Sequence, residues 1–138
     1  NREGEISCPD ATRFHLPMAD WVGFCWRVLT DMRGGEVFVP RLRAWRLGDL
    51  AAAFDGLRFS EIGLRDGDKM HEWLIAPDEA RRGQDIGWAY VVEPGEHLRG
   101  VYDYQPWQGT PLPPSFAYNS EGADRLSMDE LRALLDSG

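Results

Sequence analysis

The most regular hydrophobic pattern in the sequence lies near its start. Apolar side chains recur at steps of three and four residues: Met18, Trp21, Val22, Cys25, Val28, Leu29 and Met32. This spacing predicts a helix from Met18 to about Met32 with one broad apolar face. Phe24 widens the face, so we expect the helix to be well buried. Gly34-Gly35 then suits a helix stop.

Elsewhere the pattern predicts short strands between shorter helices. Strands are expected at residues 36–40, 59–64 and 88–92, with shorter extended segments at 11–16 and 116–120. Further helical segments are expected at residues 47–54 and 77–82, and a last helix follows the capping box from Ser127 to Glu130. Asn1–Asp10 reads as an irregular lead-in.

These elements predict a small mixed domain of the α/β or α+β class, with short strands and about four helices. The chain has 138 residues, of which 43% are hydrophobic, so it is long enough to form a core. Without an evident linker, residues 1–138 are expected to form a single domain. Residues 94–114 are rich in Pro, Gly and aromatic residues and are predicted to be a long loop.

The acidic charge narrows the possible partners. A net charge of −8 disfavours nucleic acid or an anionic membrane as the main partner. Arg41, Arg43 and Arg46 surround Trp45 in a predicted loop, which we interpret as a solvated loop or, as the alternative, a phosphate-facing one. No apolar run is long enough to span a bilayer.

Two cysteines, Cys8 and Cys25, are too few for a disulfide framework and suit the cytoplasm. Cys25 lies on the apolar helical face, so we expect it to be buried and inert. The cysteines and the three histidines do not have metal-ligand spacing, and no metal is predicted. His71 is interpreted as a surface or hydrogen-bonded histidine.

The most informative chemistry follows the strand at 59–64. Asp66-Gly67 is a turn dipeptide, and Asp68 suits the N-cap of a helix carrying Met70, Trp73 and Leu74 on one face. Arg65 would then lie beside free backbone N–H groups.

Two interpretations of Arg65 are open. A guanidinium at a helix start favours an anion site, most often for phosphate. The alternative is a surface ion pair with Asp66, Asp68 or Glu72. No catalytic residue stands out, because the sequence has no glycine-rich nucleotide fingerprint and no Tyr-x-x-x-Lys pair; Lys69 is its only lysine.

Several segments, in order, resemble one enzyme family. Residues 62–72 (IGLRDGDKMHE) look like the GIRPGEKLHE segment of inverting UDP-N-acetylglucosamine 4,6-dehydratases and related capsular-polysaccharide proteins. These belong to the extended short-chain dehydrogenase/reductase superfamily. The other matching segments are Thr12-Arg13-Phe14 (TRF), residues 34–40 (GGEVFVP), Asp49-Leu50-Ala51 (DLA), 75–80, Tyr118-Asn119-Ser120 (YNS) and 126–131 (LSMDEL).

The resemblance implies that this chain is the substrate-side, carboxyl-terminal portion of such an enzyme, without its Rossmann half. In the family, NAD(P) and the Tyr–Lys pair belong to that amino-terminal half, so no cofactor is expected in this chain. By carry-over, Arg65 would contact the diphosphate of a UDP-sugar, Asp68 would accept hydrogen bonds from the nucleotide, and Arg13 would lie near the substrate cleft.

Three residues depart from the family pattern: Asp66 replaces Pro, Asp68 replaces Glu, and Arg125 stands where Trp is common. The resemblance therefore implies one of two functions. The first is the UDP-binding portion of a nucleotide-sugar 4,6-dehydratase or epimerase-like protein in surface-polysaccharide biosynthesis, a lyase that is not active without its other half. The second is a stand-alone, non-catalytic binding or interaction module, with self-association or the Rossmann half as its partner.

Overall fold

The structure is a computed structural model that describes residues 2–101 and 103–136. The described residues form ten short strands and five helices. Contacts between Cα atoms divide the chain into two compact units, each built from separate segments of the sequence. A mixed architecture of short strands and helices is therefore confirmed.

The first unit contains residues 2–15, 42–72 and 119–136. Its elements are β1 (Arg2–Ile6), β2 (Thr12–His15), β4 (Arg43–Arg46), α2 (Leu47–Ala53), β5 (Leu57–Glu61) and α5 (Met128–Asp136). Strand β1 pairs with β5 in parallel, β2 pairs with β4 antiparallel, and α2 packs against α5. The predicted capping box is confirmed, because the Ser127 N–H donates to the Glu130 carboxylate and the Glu130 N–H donates to Ser127 Oγ.

The second unit contains residues 16–41 and 73–118. Its elements are α1 (Met18–Asp31), β3 (Val37–Pro40), β6 (Trp73–Ile75), α3 (Pro77–Ala80), β7 (Gly83–Asp85), β8 (Ala89–Val92), α4 (Glu96–Arg99) and β9 (Thr110–Pro111). Strand β10 (Tyr118–Asn119) lies where the chain passes from this unit into the first one. Four strands form an antiparallel sheet in the order β3-β8-β7-β9.

A compact apolar core holds the second unit together. Its buried members are Val39, Ile75, Ala80, Val92 and Leu112, and Tyr90, Phe116 and Tyr118 pack against them. Ile75 is completely inaccessible to solvent.

The same unit buries one carboxylate. Glu93 accepts hydrogen bonds from Gln84, Arg99 and the backbone N–H of Trp107. These three donors compensate for removing its charge from water. Burial, followed by the nearby charge of Glu93, raises the pKa of Tyr104 to about 12.

The prediction of a helix beginning at Asp68 is wrong. Residues 68–72 are not helical, and Trp73–Ile75 is a strand. The backbone carbonyls in this stretch have distant partners instead: the Met70 carbonyl accepts from the Thr12 N–H at 2.9 Å, and the Glu72 carbonyl accepts from the Ser120 N–H at 2.8 Å. Tertiary hydrogen bonds therefore override the apolar spacing that suggested a helix.

Two other local predictions are wrong, because strand pairing orders segments that were predicted to be irregular. The segment predicted to be an irregular lead-in contains strand β1. In this strand Gly4 lies opposite Phe59, and a Cβ atom at position 4 would lie only 2.6 Å from the Phe59 ring. Arg43 and Arg46 belong to strand β4 and not to a loop. The segment 94–114, predicted to be a long loop, is irregular over most of its described residues and also contains the short elements α4 and β9.

The helix α1 forms where it was predicted, but its burial was predicted wrongly. None of its residues, all of which the structure describes, is buried. Cys25 is half-buried. The apolar pattern thus identified the helix without identifying what covers it.

Candidate anion-binding site

The turn from Arg65 to Asp68 is closed by two hydrogen bonds. The Asp68 N–H donates to the Arg65 carbonyl at 2.9 Å, and the Arg65 N–H donates to Asp68 Oδ2 at 3.0 Å. Gly67 has a φ of 91°, which the third position of a type II turn requires and a glycine provides without strain. The predicted turn is confirmed, and Asp68 stabilises the turn where a helix N-cap was expected.

The Arg65 side chain is exposed on this fixed turn. The ion pair that was the alternative interpretation is not formed: among the residues that the structure describes, no carboxylate oxygen lies within ion-pair distance of its guanidinium. Asp68 instead accepts from the backbone of Arg65, and Glu72 accepts from the backbone of Phe14 at 2.7 Å. Arg65 therefore carries a positive charge that no described carboxylate neutralises.

Arg13 is half-buried on strand β2. Its Nη1 donates to the Thr12 carbonyl at 2.7 Å and to the Met70 carbonyl at 3.3 Å. These bonds fix the guanidinium next to the segment that carries Arg65. Because both acceptors are neutral carbonyls, they leave the charge of Arg13 in place.

A buried network of hydroxyl groups was not predicted as a unit. Thr12 Oγ1 lies 2.8 Å from His71 Nδ1 and 2.6 Å from Ser120 Oγ. Ser120 Oγ also accepts from the Glu72 N–H at 2.8 Å. Thr12 and Ser120 are both buried, so their hydroxyl groups depend on these partners.

This network connects β2, the segment that follows the Arg65 turn, and the residue after β10. It confirms the interpretation of His71 as a hydrogen-bonded histidine. The signal that could have found it is that its members lie in three of the quoted motifs, TRF, IGLRDGDKMHE and YNS. The network holds the segment after Arg65 in its non-helical course, so its role is to position the site.

A cleft of about 350 Å³ lies beside the network in the first unit. Its lining residues are Asp10, Thr12, Arg46, Met70, His71, Glu121 and Arg125. Arg46 pairs with Asp10 at 3.1 Å, and His71 Nε2 lies 3.7 Å from Glu121 Oε1. Acidic and basic side chains thus balance each other around the cleft.

Arg125, which stands where the related sequences commonly have Trp, has a structural role. Its guanidinium donates to the Ser120 carbonyl at 3.0 Å and to the Glu121 carbonyl at 2.8 Å. These bonds brace the loop after β10.

Within the described residues, no group of three or more His, Cys, Asp or Glu side chains is arranged to hold a metal ion. The helices of this part of the chain are all too short or too polar to cross a bilayer.

Comparison with known proteins identifies the family to which the chain belongs. It matches the family model described as "Polysaccharide biosynthesis protein" over residues 2–94. Two inverting UDP-N-acetylglucosamine 4,6-dehydratases, from two strains of Campylobacter jejuni, are 33% identical to it over 94 residues and 30% identical over 99 residues. These alignments span 67% and 71% of this chain. A UDP-glucose 4-epimerase from Rickettsia bellii is 26% identical over 140 residues, which cover 98% of this chain.

The fold has a solved counterpart as well. The X-ray structure of Pen from Bacillus thuringiensis aligns with 99% of this chain at a TM-score of 0.79, with 20% sequence identity. The chain covers 40% of that structure, 28% and 30% of the two dehydratases and 41% of the epimerase.

The fold and these relatives place the chain in the extended short-chain dehydrogenase/reductase superfamily. The chain belongs to the polysaccharide biosynthesis protein family. The family resemblance based on the motifs is thereby confirmed.

Proposed function

We propose that this chain is the UDP-binding, substrate-side portion of a nucleotide-sugar 4,6-dehydratase or epimerase-like protein. Arg65 contacts the diphosphate, Asp68 accepts hydrogen bonds from the nucleotide, and Arg13 lies beside the substrate. NAD(P) is carried by polypeptide outside these 138 residues. The two free cysteines suit a protein of the cytoplasm.

One observation carries the proposal: Arg65 is exposed on a turn that its own backbone closes, and no described carboxylate pairs with it. Ligand binding normally costs conformational entropy of both backbone and side chain. The turn already fixes the backbone of Arg65, so only the entropy of its side chain is lost on binding. A guanidinium can donate two parallel hydrogen bonds to phosphate oxygens. The arrangement therefore supports an anion ligand over a structural ion pair.

Asp68 is compatible with two roles at once. One of its carboxylate oxygens accepts from the Arg65 N–H. An ionised carboxylate has about four lone-pair sites, so it can accept further donors from a nucleotide. In this proposal Arg13 adds a second positive charge, which the neutral carbonyls of Thr12 and Met70 hold in place.

Titration calorimetry with UDP and UDP-N-acetylglucosamine tests the proposal on wild type and Arg65→Ala. We expect the variant to bind at least about tenfold more weakly, because hydrogen bonds to a charged group contribute about 1.5–3 kcal/mol. Arg58→Ala is the matched control, since Arg58 is also exposed and belongs to the same unit.

The affinity of this control should equal that of wild type. Equal binding heats for wild type and Arg65→Ala would refute the proposed role of Arg65. The absence of binding in all three proteins would refute UDP binding by this chain.

A further inference from the structure

A segment of irregular chain, residues 103–109, lies between α4 and β9 and forms a strap on the second unit. The strap contains no helix or strand, and its residues at positions 105, 106 and 108 are exposed. Asp103 at its start has a φ of 48° and is the one non-glycine residue with a positive φ in residues 2–101 and 103–136. β9 at its end has only two residues. The strap is therefore held mainly by side chains of other segments.

Arg33, in the loop after α1, is the first of these side chains. Its guanidinium donates to the carbonyls of Gln105 at 3.0 Å and Pro106 at 2.7 Å. The same guanidinium lies 4.0 Å from the centre of the Trp107 ring, which is a cation–π contact. One exposed arginine thus contacts three consecutive residues of the strap, so its loss should loosen all three.

Two acceptors on the sheet side hold the backbone of the strap. The Trp107 N–H donates to Glu93 Oε1 at 3.2 Å, and the Gly109 N–H donates to Gln84 Oε1 at 2.8 Å. Gly109 approaches β7 so closely that a Cβ atom there would lie 2.5 Å from the carbonyl oxygen of Asp85. The closed strap therefore depends on a few side-chain hydrogen bonds and on one close backbone approach.

Closure of the strap leaves polar groups without partners. Among the described residues, the buried side-chain nitrogen and oxygen atoms that lack a hydrogen bond are Glu36 Oε2, Tyr104 Oη and Trp107 Nε1. Two of them belong to the strap, and the third lies beside Arg33, whose N–H donates to the other oxygen of Glu36. Burial raises the pKa of Tyr104 to about 12, so its hydroxyl keeps its proton at neutral pH. Each of these atoms opposes closure, because burial removes its hydrogen bonds to water.

From this balance we infer that the strap is a conformational device that opens locally while the rest of the second unit stays folded. Arg33 and Glu93 hold it closed, whereas the unpartnered groups and the backbone at Asp103 favour opening. Opening returns these groups to water and uncovers the Glu93 carboxylate, which is only 6% exposed when the strap is closed. The strap therefore controls access to a buried acid. The inference is independent of the proposed UDP site, whose residues lie in the first unit.

Hydrogen–deuterium exchange read by NMR tests the inference. It compares the amides of Trp107 and Gly109 with the amides of β8, which lies inside the sheet between β3 and β7. We expect the two strap amides to exchange at least about a hundredfold faster, because local opening requires less free energy than unfolding of the sheet. Equal rates would overturn the inference, since the strap would then open only when the whole unit unfolds.

Tyr104→Phe removes an unpartnered hydroxyl and keeps the ring. We expect the Trp107 amide of this variant to exchange at least about fivefold more slowly, because the closed strap no longer buries an unsatisfied donor. Tyr90→Phe is the matched control: the Tyr90 hydroxyl accepts from Arg41 at 3.3 Å and lies outside the strap. This control should leave the exchange of the strap unchanged. Unchanged or faster exchange in Tyr104→Phe contradicts the inference, and faster exchange would indicate a bound water that the hydroxyl holds in the closed form.

Arg33→Met tests the side chain that holds the strap closed. It keeps an unbranched side chain but loses the donors and the charge, so the amides of Trp107 and Gly109 should exchange at least about tenfold faster while the β8 amides stay protected. Arg27→Met is the control, because Arg27 makes the same kind of contact with Trp88, at 4.2 Å, away from the strap. If Arg33→Met has no larger effect on these amides than Arg27→Met, Arg33 does not hold the strap and the inference fails.

Discussion

The two units of this chain bury different kinds of residue. The apolar residues buried in the first unit are four alanines and one leucine, and its buried polar residues are Thr12 and Ser120. In the second unit, branched aliphatic residues such as Val39, Ile75 and Val92 form a core. Alanine contributes little apolar area, so we expect the first unit to depend more on buried hydrogen bonds and the second unit more on packing.

The largest effect should follow from damage to the aliphatic core. Ile75→Ala is expected to lower the free energy of unfolding by about 3 kcal/mol, because Ile75 is completely buried and its removal leaves a cavity. Ile75→Val should cost about 1 kcal/mol. Urea denaturation of the three proteins measures both. A cost for alanine no larger than that for valine would show that packing does not dominate in this unit.

In the hydroxyl network, losing a hydrogen-bonding group should lower the stability more than losing side-chain volume. Thr12→Val keeps the shape of the side chain but leaves His71 Nδ1 and Ser120 Oγ without their shared partner. We expect a loss of about 2 kcal/mol, the cost of an unsatisfied buried polar group.

Thr12→Ser is the control, because it retains the hydroxyl and removes only a methyl group. It should be the more stable of the two variants in the same urea experiment. If valine is tolerated better than serine, the first unit is held by packing after all, and the contrast between the units fails.

The smallest effect should come from an exposed ion pair in the first unit. The hydrogen bond from Arg43 on β4, followed by those from Ser127, lowers the pKa of Glu130 to about 2 from its ordinary value of 4.5. The unfolded chain therefore binds this proton more readily than the folded chain. The stabilisation is fully present above pH 4.5 and is lost as the pH falls toward 2.

Arg43→Leu should flatten the dependence of stability on pH over this interval, as measured by thermal unfolding between about pH 5 and pH 2. The effect is expected to be small, because exposed ion pairs are screened by solvent. Arg58→Leu removes an exposed arginine from strand β5 of the same unit and should leave the pH dependence unchanged. Identical pH profiles for wild type and Arg43→Leu would contradict the coupling between Arg43 and Glu130.

Elements with local signals could be predicted from the sequence. Helix α1 has regular apolar spacing, β8 is a run of β-favouring residues, and Ser127 and Glu130 cap α5 through side chains only three residues apart. Each signal depends on neighbours in the sequence, and each predicted element is present in the structure.

Features that depend on distant residues could not be predicted in the same way. β1 exists because β5 pairs with it, and residues 68–72 avoid a helix because Thr12 and Ser120 bind the carbonyls at Met70 and Glu72. The same limit applies to the site. The turn at Asp66-Gly67 is a local feature and was predicted, whereas Asp68 was assigned to a helix that does not form.

The closed turn has a consequence for how this protein can change. Both of its hydrogen bonds involve the main chain at position 65, and neither involves the Arg65 side chain. Any residue that keeps a backbone N–H can therefore occupy position 65 without loss of either bond, so most substitutions here should cost little stability. The side chain at position 65 can thus vary independently of the stability of the turn that carries it.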